Sequence, residues 1–155
     1  MALLQLYSHN GHTALIQLNK IGRIPNDLRD LLANRNITKA GIETLQDAIY
    51  LEQDYGLVVH GTFDLRYMAR DTGHQVGGLK RLAKDILSVD IGQEVEIMAS
   101  DWEQDPLDAE QVDYAEAAVK ASFKIFEKLV GEKYWIAPIE RAQEYVKPML
   151  DKKFR

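Results

Sequence analysis

The stretch LDAEQVDYAEAAVKASFKIFEKLV, residues Leu107–Val130, is the segment around which the rest of the chain is organised. Apolar residues recur in it at intervals of three and four, which is the spacing of an amphipathic helix. They form two adjacent stripes: Val112, Ala115, Val119, Phe126 and Val130 in one, and Tyr114, Ala118, Ala121, Ile125 and Leu129 in the other. So wide an apolar face predicts a helix buried on two sides, with an N-cap at Asp108 and a C-terminal stop at Gly131.

The composition indicates one globular domain. The chain has 155 residues, 46% of them hydrophobic, which is enough material for a core. The absence of cysteine excludes a disulfide framework, a zinc–thiolate site and a thiol nucleophile. A net charge of −5 gives no sign of an electrostatic nucleic-acid binder. No apolar run approaches the roughly 18 residues that span a membrane, and no signal-peptide pattern is present, so we expect a soluble intracellular protein of unresolved compartment.

Strand and helix signals alternate along the chain. Ala2–Tyr7 and Thr13–Leu18 flank an Asn-Gly turn and predict a β-hairpin, whose His9 and His12 could bind a metal but are more simply solvated. The further predicted elements are a helix from Pro25 with Leu28, Leu31 and Leu32 on its apolar side, a buried strand Ile37–Ile42, a helix Thr44–Tyr55 ended by Gly56, a strand Leu57–His60, and helices at Phe63–Arg70, Gly78–Leu87 and Pro138–Leu150. This order predicts an α/β domain.

The central segment also carries a motif. Its spaced residues are Asp101-Trp102-Glu103, Leu107, Gln111, Tyr114 and Ala115. The pattern resembles the last motif of the DEDDy 3'-5' exonucleases, the group of ribonuclease D, the Werner-syndrome exonuclease and exonuclease 3'-5' domain-containing 2. In that motif a tyrosine is followed four residues later by a metal-binding aspartate, and this spacing puts both side chains on one helix face. Here Tyr114 is present, but the position four residues later is Ala118, which cannot bind a metal.

Earlier segments extend the resemblance over the chain up to about Val130. They occur in the family's order: Ala2–Leu18, Pro25–Leu32, Lys39–Gly41 with Asp47 and Asp54–Leu57, Phe63–Ala69, and Gly78–Leu87. The resemblance implies an α/β, ribonuclease H-like 3'-5' exonuclease fold that lacks its first strand, with a mixed sheet flanked by helices. Asp64-Leu65-Arg66 points to the exonuclease 3'-5' domain-containing 2 type. We assign residues 1–131 to the exonuclease-like domain and 132–155 to a C-terminal helix and basic tail that pack on it or extend it.

The resemblance also implies a set of metal ligands that this chain does not retain. Holding two hard cations about 4 Å apart requires several carboxylates. The family uses an Asp-x-Glu pair on its first strand, an aspartate on a middle helix and the aspartate after the tyrosine. Asp47 matches the middle position, the last is Ala118, and the pair would lie upstream of Ala2. We therefore expect Asp47 and Tyr114 to be vestigial and no cofactor to be needed, with Mg or Mn required only if activity is retained. Glu43, one helical turn before Asp47, is the best substitute carboxylate.

The missing first strand has a physical consequence. In the family fold it lies in the middle of the sheet, between the second and fourth strands, so its loss leaves unpaired edges where the fold is normally buried. Three outcomes are open. The neighbouring strands close up, a protein partner or a second copy supplies a strand, or the 155 residues are a fragment of a longer protein. A homodimer formed through strand edges is one form of the second outcome.

Three functions follow from these observations. The first is a degenerate, catalytically inactive exonuclease-like domain that serves as a protein-interaction or scaffold module, which Ala118 favours. The second is a nucleic-acid-binding pseudo-nuclease that uses Lys80, Arg81 and Lys84, although acidic residues before Ser100 would repel phosphate. The third is an active 3'-5' exonuclease of which this chain is a fragment or an inactivated variant. The sequence predicts the first.

Overall fold

The computed structural model describes residues 2–92 and 95–134, along which strands and helices alternate. The strands are β1 (Leu4–Tyr7), β2 (Thr13–Ile16), β3 (Lys39–Gly41) and β4 (Thr62–Asp64). The helices are α1 (Asn26–Ala33), α2 (Thr44–Tyr55), α3 (Leu65–Asp71), α4 (Leu79–Leu82) continued by a π-helical turn (Ala83–Leu87), α5 (Val95–Met98) and α6 (Ala109–Tyr134). The alternation confirms the α/β class. The helix predicted at Pro138–Leu150 and the basic tail lie outside the described residues.

The N-terminal hairpin forms as its sequence predicts. Strand β1 pairs antiparallel with β2, with Leu4 opposite Ile16 and Tyr7 opposite Thr13. In the turn, Gly11 has φ +84° and its backbone N–H donates to the Ser8 carbonyl over 2.9 Å. A positive φ costs glycine nothing, which is why an Asn-Gly pair is so strong a turn signal.

The second pair of strands corrects two predicted elements. Strand β3 pairs parallel with β4, Lys39 opposite Thr62 and Gly41 opposite Asp64. The strand predicted at Leu57–His60 is therefore wrong, and the helix predicted from Phe63 begins instead at Leu65. The cause is Gly61, whose φ of +71° turns the chain against β3; a Cβ there would lie 2.7 Å from the Ile37 carbonyl oxygen. Leu57 is buried all the same, in an irregular segment after α2.

The strand predicted to be buried at Ile37–Ile42 is shorter and more open than expected. Only Lys39–Gly41 is paired, all three residues are half-buried, and 38% of Ile37 is exposed. An isolated two-stranded pair cannot cover both faces of its strands, so the apolar run does not become a central, fully buried strand. The prediction of burial was wrong at this position.

Helix α2 matches its prediction in both bounds. Gly56 adopts φ +60° and its N–H donates to the Glu52 carbonyl, which is the left-handed C-terminal geometry expected of glycine. Its first residue is preceded by Glu43, which also has a positive φ, of 58°. A left-handed glutamate is unusual and is maintained only where neighbouring contacts hold it.

Helix α6 begins as predicted and ends later. Asp108 Oδ1 accepts the Gln111 backbone N–H over 2.8 Å, while Gln111 Oε1 accepts the Asp108 N–H over 3.1 Å, a reciprocal capping box. The predicted stop at Gly131 was wrong, because the helix continues to Tyr134. Glycine inside a helix costs only about 1 kcal/mol, and here the preceding Val130 is buried in the core while Glu132 bonds to His74.

Two hydrophobic clusters lie in the described part of the chain. The first comprises Phe63, Leu65, Met68, Ala69, Leu82, Ala83, Ile86, Ile125, Phe126, Leu129 and Val130. The second comprises Leu4, Leu18, Ile24, Leu32, Leu51 and Leu57. Helix α6 contacts the hairpin and also β3, so it underlies both sheets. In the described residues β1 and β3 are not paired with one another, and each sheet has two strands. The neighbouring strands have therefore not closed up.

Candidate functional site

An open groove separates β1 from β3. Its volume is about 720 Å³, within the range of roughly 300–1,000 Å³ found for ligand sites. One wall is β1 and the hairpin turn, the other wall is β3, and residues of α2 line it further along. The groove thus lies between two sheet edges that no strand of the described residues covers.

The floor of the groove is one face of α6. It consists of Ala118, Val119, Ser122, Phe123 and Phe126, which recur at helical spacing. Tyr7 of β1 packs on Phe123 with ring centroids 5.1 Å apart, which fixes the hairpin over the floor. Apart from Ser122, the floor is apolar.

The groove brings together two of the predicted site residues, Asp47 and Ala118. Asp47 lies in the first turn of α2, and Ala118 lies on α6, and both side chains line the groove. The two positions at which the resemblance expects metal ligands therefore line the same groove. Alanine has no oxygen to offer there, so the pair presents one carboxylate where the family motif has two.

The pKa of Asp47 is raised. Partial desolvation of its carboxyl group raises it, and the nearby Glu43 carboxylate raises it further. A raised pKa weakens a carboxylate as a cation ligand, because the proton competes with the metal.

Glu43, the substitute ligand suggested by the sequence, is engaged elsewhere. Its carboxylate pairs with Arg66 over 3.1 Å, and its backbone N–H donates to Asp64 Oδ2 over 3.0 Å. It does not line the groove beside Asp47. These contacts also explain why a glutamate holds a positive φ at this position.

Asp64 and Arg66 form the most strongly bonded charge pair of the region. The Asp64 carboxylate accepts from the Arg66 backbone N–H, from Nε and, over 2.6 Å, from Nη2. The pKa of Asp64 lies below its usual range because these hydrogen bonds and the Arg66 charge outweigh desolvation. The same bonds raise the pKa of Arg66. Asp64 thereby caps α3 and links β4 to the start of α2, so this acid is structural rather than available to a metal.

Tyr114 lies one helical turn before Ala118 and packs against Trp102. Their ring centroids are 6.2 Å apart at an angle of 47°. Tyr114 does not line the groove. Its contact with the loop before α6 gives it a packing role.

The basic residues Lys80, Arg81 and Lys84 lie on α4 and its π-helical continuation, away from the groove lining. Lys80 is 3.9 Å from Asp90, and Arg81 donates to Gln75. The structure therefore does not bring this cluster to the groove. His9 and His12 do line the groove at the hairpin turn, where both are exposed.

Lys39 is the basic side chain of the groove lining. Its Nζ donates to the Asn34 carbonyl over 2.7 Å, and burial lowers its pKa to about 8. Lys39 and Asp47 are the charged side chains of the lining, with opposite signs. The groove therefore has little net charge.

The donor set does not fit the metal pair that the family implies. Among the described residues, no three His, Asp or Glu side chains are close enough to hold a metal ion. Asp47 contributes one carboxylate, Ala118 none, and Glu43 and Asp64 are committed to Arg66. Mg²⁺ binds weakly to a lone carboxylate because it gives up its waters reluctantly.

Two polar networks near the site were not predicted from the sequence. Gln111 is 1% exposed and its amide donates to Ser100 Oγ and the Asp101 carbonyl, tying the loop to α6. The Asp-x-x-Gln spacing from Asp108 was the available signal, since it is a capping-box pattern. His74 bonds to both Asp85 and Glu132, and no local pattern indicated that contact because its partners lie 11 and 58 residues away.

A protein-family model described as a 3'-5' exonuclease matches residues 1–132. Two relatives named exonuclease 3'-5' domain-containing protein 2 match along most of the chain. The one from Drosophila melanogaster is 38% identical over 129 residues, 83% of this chain and 22% of its own length. The one from Homo sapiens is 35% identical over 139 residues, 84% of this chain and 22% of its own length. The chain thus spans about a fifth of the length of these relatives.

Solved structures of a related domain also match. The EXD2 exonuclease domain soaked in Mn is 32% identical, with a TM-score of 0.44 over 99% of this chain and 80% of that chain. The same domain soaked in Mg is 34% identical, with a TM-score of 0.43 over 99% of this chain and 78% of that chain. The family matches confirm the resemblance inferred from the motifs and, with it, the ribonuclease H-like fold class. Across the described residues no helix is long and apolar enough to cross a bilayer.

Proposed function

Because the chain belongs to the 3'-5' exonuclease domain family, we propose that it is a catalytically inactive member of that family and acts as a protein-interaction domain. The observation that supports this most strongly is the pairing of Asp47 with Ala118 in one groove. The groove keeps the place of a family metal site but offers one carboxylate and an apolar floor. Hydrolysis by two cations requires more charge than this to hold them.

The chemistry of the floor supports a protein partner. A groove that binds a phosphodiester needs cations along its walls, since each nucleotide carries a charged phosphate. Lys39 is the one cation of this lining, and its own pKa is lowered to about 8 by burial. Apolar floor residues such as Val119 and Phe123 favour apolar side chains instead. A partner protein or a second copy of the chain fits this surface.

The test of inactivity is a metal titration combined with a degradation assay. Mn²⁺ is titrated calorimetrically into the 155-residue chain and into Asp47→Ala, and a single strand labelled at its 5' end is incubated with each protein and Mn²⁺. We expect no saturable heat and no shortening of the strand in either protein. Micromolar Mn²⁺ binding that Asp47→Ala abolishes, together with shortening from the 3' end, would show that the proposal is wrong.

A matched pair of variants tests the geometry behind the proposal. Ala118→Asp adds a carboxylate to the groove that Asp47 also lines, whereas Ala117→Asp adds the same charge on the exposed side of the helix. Two converging carboxylates hold a divalent cation better than one. We therefore expect Mn²⁺ affinity to rise in Ala118→Asp alone. An equal rise in both variants would mean that nonspecific charge, and not the groove, binds the metal.

A nucleic-acid-binding pseudo-nuclease is the second candidate, and it depends on Lys80, Arg81 and Lys84. Two of these have anionic or polar neighbours, Asp90 and Gln75, and none lines the groove. Fluorescence anisotropy with a labelled single strand in low salt distinguishes the two functions. We expect no saturable binding to the wild-type chain, whereas binding that Lys84→Ala weakens would favour the pseudo-nuclease.

A further inference from the structure

His74 joins three elements of the fold at the end of α6. Its Nδ1 lies 3.0 Å from Asp85 Oδ2 on the π-helical turn, and its Nε2 lies 2.9 Å from Glu132 Oε2 in the last turn of α6. Its backbone follows α3, where the His74 N–H donates to the Ala69 carbonyl over 2.8 Å. None of the three side chains in this bridge lines the groove, so the contact is independent of the proposed function.

The two contacts of the imidazole ring require that it be doubly protonated. An ionised carboxylate only accepts hydrogen bonds, so each ring nitrogen must donate to its partner. A neutral imidazole has a single N–H, and its other nitrogen would then present a lone pair to a carboxylate oxygen at hydrogen-bond distance. Loss of the proton therefore makes one of the two contacts repulsive. The ring cannot hold both Asp85 and Glu132 once it is neutral.

The charges that face the ring are negative. Glu132 from α6 and Asp85 from the π-helical turn raise the pKa of His74, the bond to Glu132 most strongly, and these effects exceed the opposing desolvation. The other charged side chains close to the bridge along the same three elements are Arg70, Asp71, Lys84 and Lys128. The Arg70 guanidinium lies over the ring of Tyr67, 5.4 Å from its centroid, and the two lysines are exposed.

The neighbours of His74 differ in how firmly the core holds them. Ala69 is buried at the end of α3, and Asp85 is followed directly by the buried Ile86. Helix α6 is buried through Val130, but Glu132 lies beyond it on the exposed side. Of the two carboxylates that the ring holds, Glu132 is therefore the one that can move away without disturbing the core.

Gly131 lies between the buried part of α6 and Glu132. Glycine is a poor helix former and is the residue at which helices most often end. The sequence predicts a stop at Gly131, yet the helix continues to Tyr134. The bond from Glu132 to His74 begins immediately beyond the glycine, and an imidazolium beside the C-terminal end of a helix also interacts favourably with the helix dipole. A protonated His74 thus favours the helical form of a turn that glycine disfavours.

We propose that His74 is a pH-sensitive latch on the end of α6. When the ring is protonated, it holds Glu132 and the helix runs through Gly131 to Tyr134. When the ring gives its proton to solvent, it releases Glu132 and the helix ends at Gly131.

The direction of this switch follows from linkage. The latched form binds the proton more tightly than the released form, because both carboxylates favour the charged ring. The latch is therefore closed below about pH 6.5, the ordinary pKa of histidine, and it opens as the pH rises through the raised pKa of the latched ring.

NMR of the 155-residue chain between pH 5 and pH 9 tests the latch. The chemical shifts of the His74 ring nitrogens report its protonation, and the Cα chemical shifts of residues 131–134 report the helical population at the end of α6. We expect both to change with one midpoint, above about pH 6.5. Constant Cα shifts while His74 titrates, or a change with a different midpoint, would overturn the proposal.

A matched pair of variants on α6 tests the contact itself. Glu132→Gln removes the charge that His74 holds, whereas Glu127→Gln removes the same charge from an earlier turn of the helix. Glu132→Gln should lower the proton affinity of His74 by about two- to fivefold and reduce the change in the Cα shifts. Glu127→Gln should leave both as in the wild-type chain. Equal effects of the two variants would mean that the overall charge of α6, and not the latch, controls the ring.

A second pair of variants separates the latch from the hinge. A Cβ at Gly131 would meet no atom within 4 Å, so Gly131→Ala fits the fold. It should keep residues 131–134 helical at every pH while His74 still titrates, because alanine favours the helix about fivefold over glycine. His74→Asn should show the high-pH Cα shifts at every pH. Unfolding of the helix end with pH in either variant would contradict the proposal.

Discussion

The two halves of α6 have the same apolar periodicity and different surroundings. In the C-terminal half, Ile125, Leu129 and Val130 are at most 1% exposed and belong to the cluster beneath β4 and α3. In the middle of the helix, Ala118 and Val119 continue the same stripes but line an open groove. The C-terminal half of α6 packs in the core, and the middle of the helix lines an open groove.

The difference shows what an apolar stripe does and does not specify. Helical spacing states which residues share a face, but the neighbour on that face is set by the rest of the chain. Under the C-terminal half, α3 and the π-helical turn supply the neighbours. The middle of α6 faces the groove between β1 and β3, where no strand of the described residues lies. A groove and a core therefore arise from one sequence pattern.

The largest expected effect comes from placing a charge at a buried position of α6 and at a position that lines the groove. Ala115 is fully buried, so Ala115→Asp should cost several kcal/mol and abolish cooperative unfolding. Ala118→Asp faces the open groove and should cost only about 0.5–1 kcal/mol, mainly through helix propensity. Urea denaturation followed by circular dichroism measures both. If the two variants are equally unstable, the groove is closed in solution and Ala118 is as buried as Ala115.

Large-to-small substitutions in the core and in the groove floor should change the free energy of unfolding by smaller amounts. Leu129→Ala opens a cavity in the closed core and should lower the free energy of unfolding by about 3 kcal/mol. Val119→Ala removes a half-buried side chain from the groove floor and should lower it by no more than about 1 kcal/mol. The measurement is the shift in the urea midpoint at unchanged slope. Similar shifts would mean that Val119 is packed as tightly as Leu129.

The beginning of α6 depends on polar contacts instead. Gln111 is buried, and its side chain bonds to Ser100, Asp101 and Asp108. Gln111→Ala leaves these groups without their partner and should cost about 2 kcal/mol. The control is Gln46→Ala on α2, an exposed position that should change stability by under about 0.5 kcal/mol. If Gln46→Ala is destabilising, or if Gln111→Ala is neutral, the capping network does not stabilise the start of α6.

The end of α6 provides a pH-dependent test. The pKa of His74 is raised, first by its hydrogen bond to Glu132 and also by its bond to Asp85. A raised folded-state pKa stabilises the protein fully below the unfolded pKa of about 6.5, and the contribution is lost as pH rises through the folded value. The stability difference between wild type and His74→Asn should therefore be largest near pH 5 and shrink towards pH 8, and stay under about 1 kcal/mol.

The control for this prediction is Gln53→Asn, an exposed position whose side chain does not ionise. Its stability difference from the wild-type chain should stay flat between pH 5 and 8. A difference for His74→Asn that grows with pH would contradict the assigned direction of the shift, and a flat one would show that the two carboxylates do not favour the protonated ring.

Much of the fold was predictable because its signals are local. The Asn-Gly turn, the helix Thr44–Tyr55 with its closing Gly56, and the cap at Asp108 depend on neighbouring residues, and all three predictions are confirmed. Strand β4 and the end of α6 were missed because they depend on distant contacts. Gly61 aligns β4 against residues of β3 some twenty positions earlier, and His74 meets Glu132 across 58 positions.

The resemblance named the residues of the candidate site, but it did not show what surrounds them. The family motif alone identified Asp47, Tyr114 and Ala118, and the structure places two of the three in one groove. The sequence could not show that Glu43 is bound to Arg66, since the two are 23 positions apart and no periodicity relates them. Nor could it decide whether β1 and β3 would close up, because that depends on the packing of both sheets over α6.

Hydrogen–deuterium exchange of the 155-residue chain measures directly whether the groove is open. We expect rapid exchange at amides of Leu4–Tyr7 and Lys39–Gly41 whose N–H groups face the groove, and slow exchange in α6 from Ile125 to Val130. Uniformly slow exchange in all three segments would contradict it. The groove would then be filled in solution, and the open floor around Ala118 would not exist.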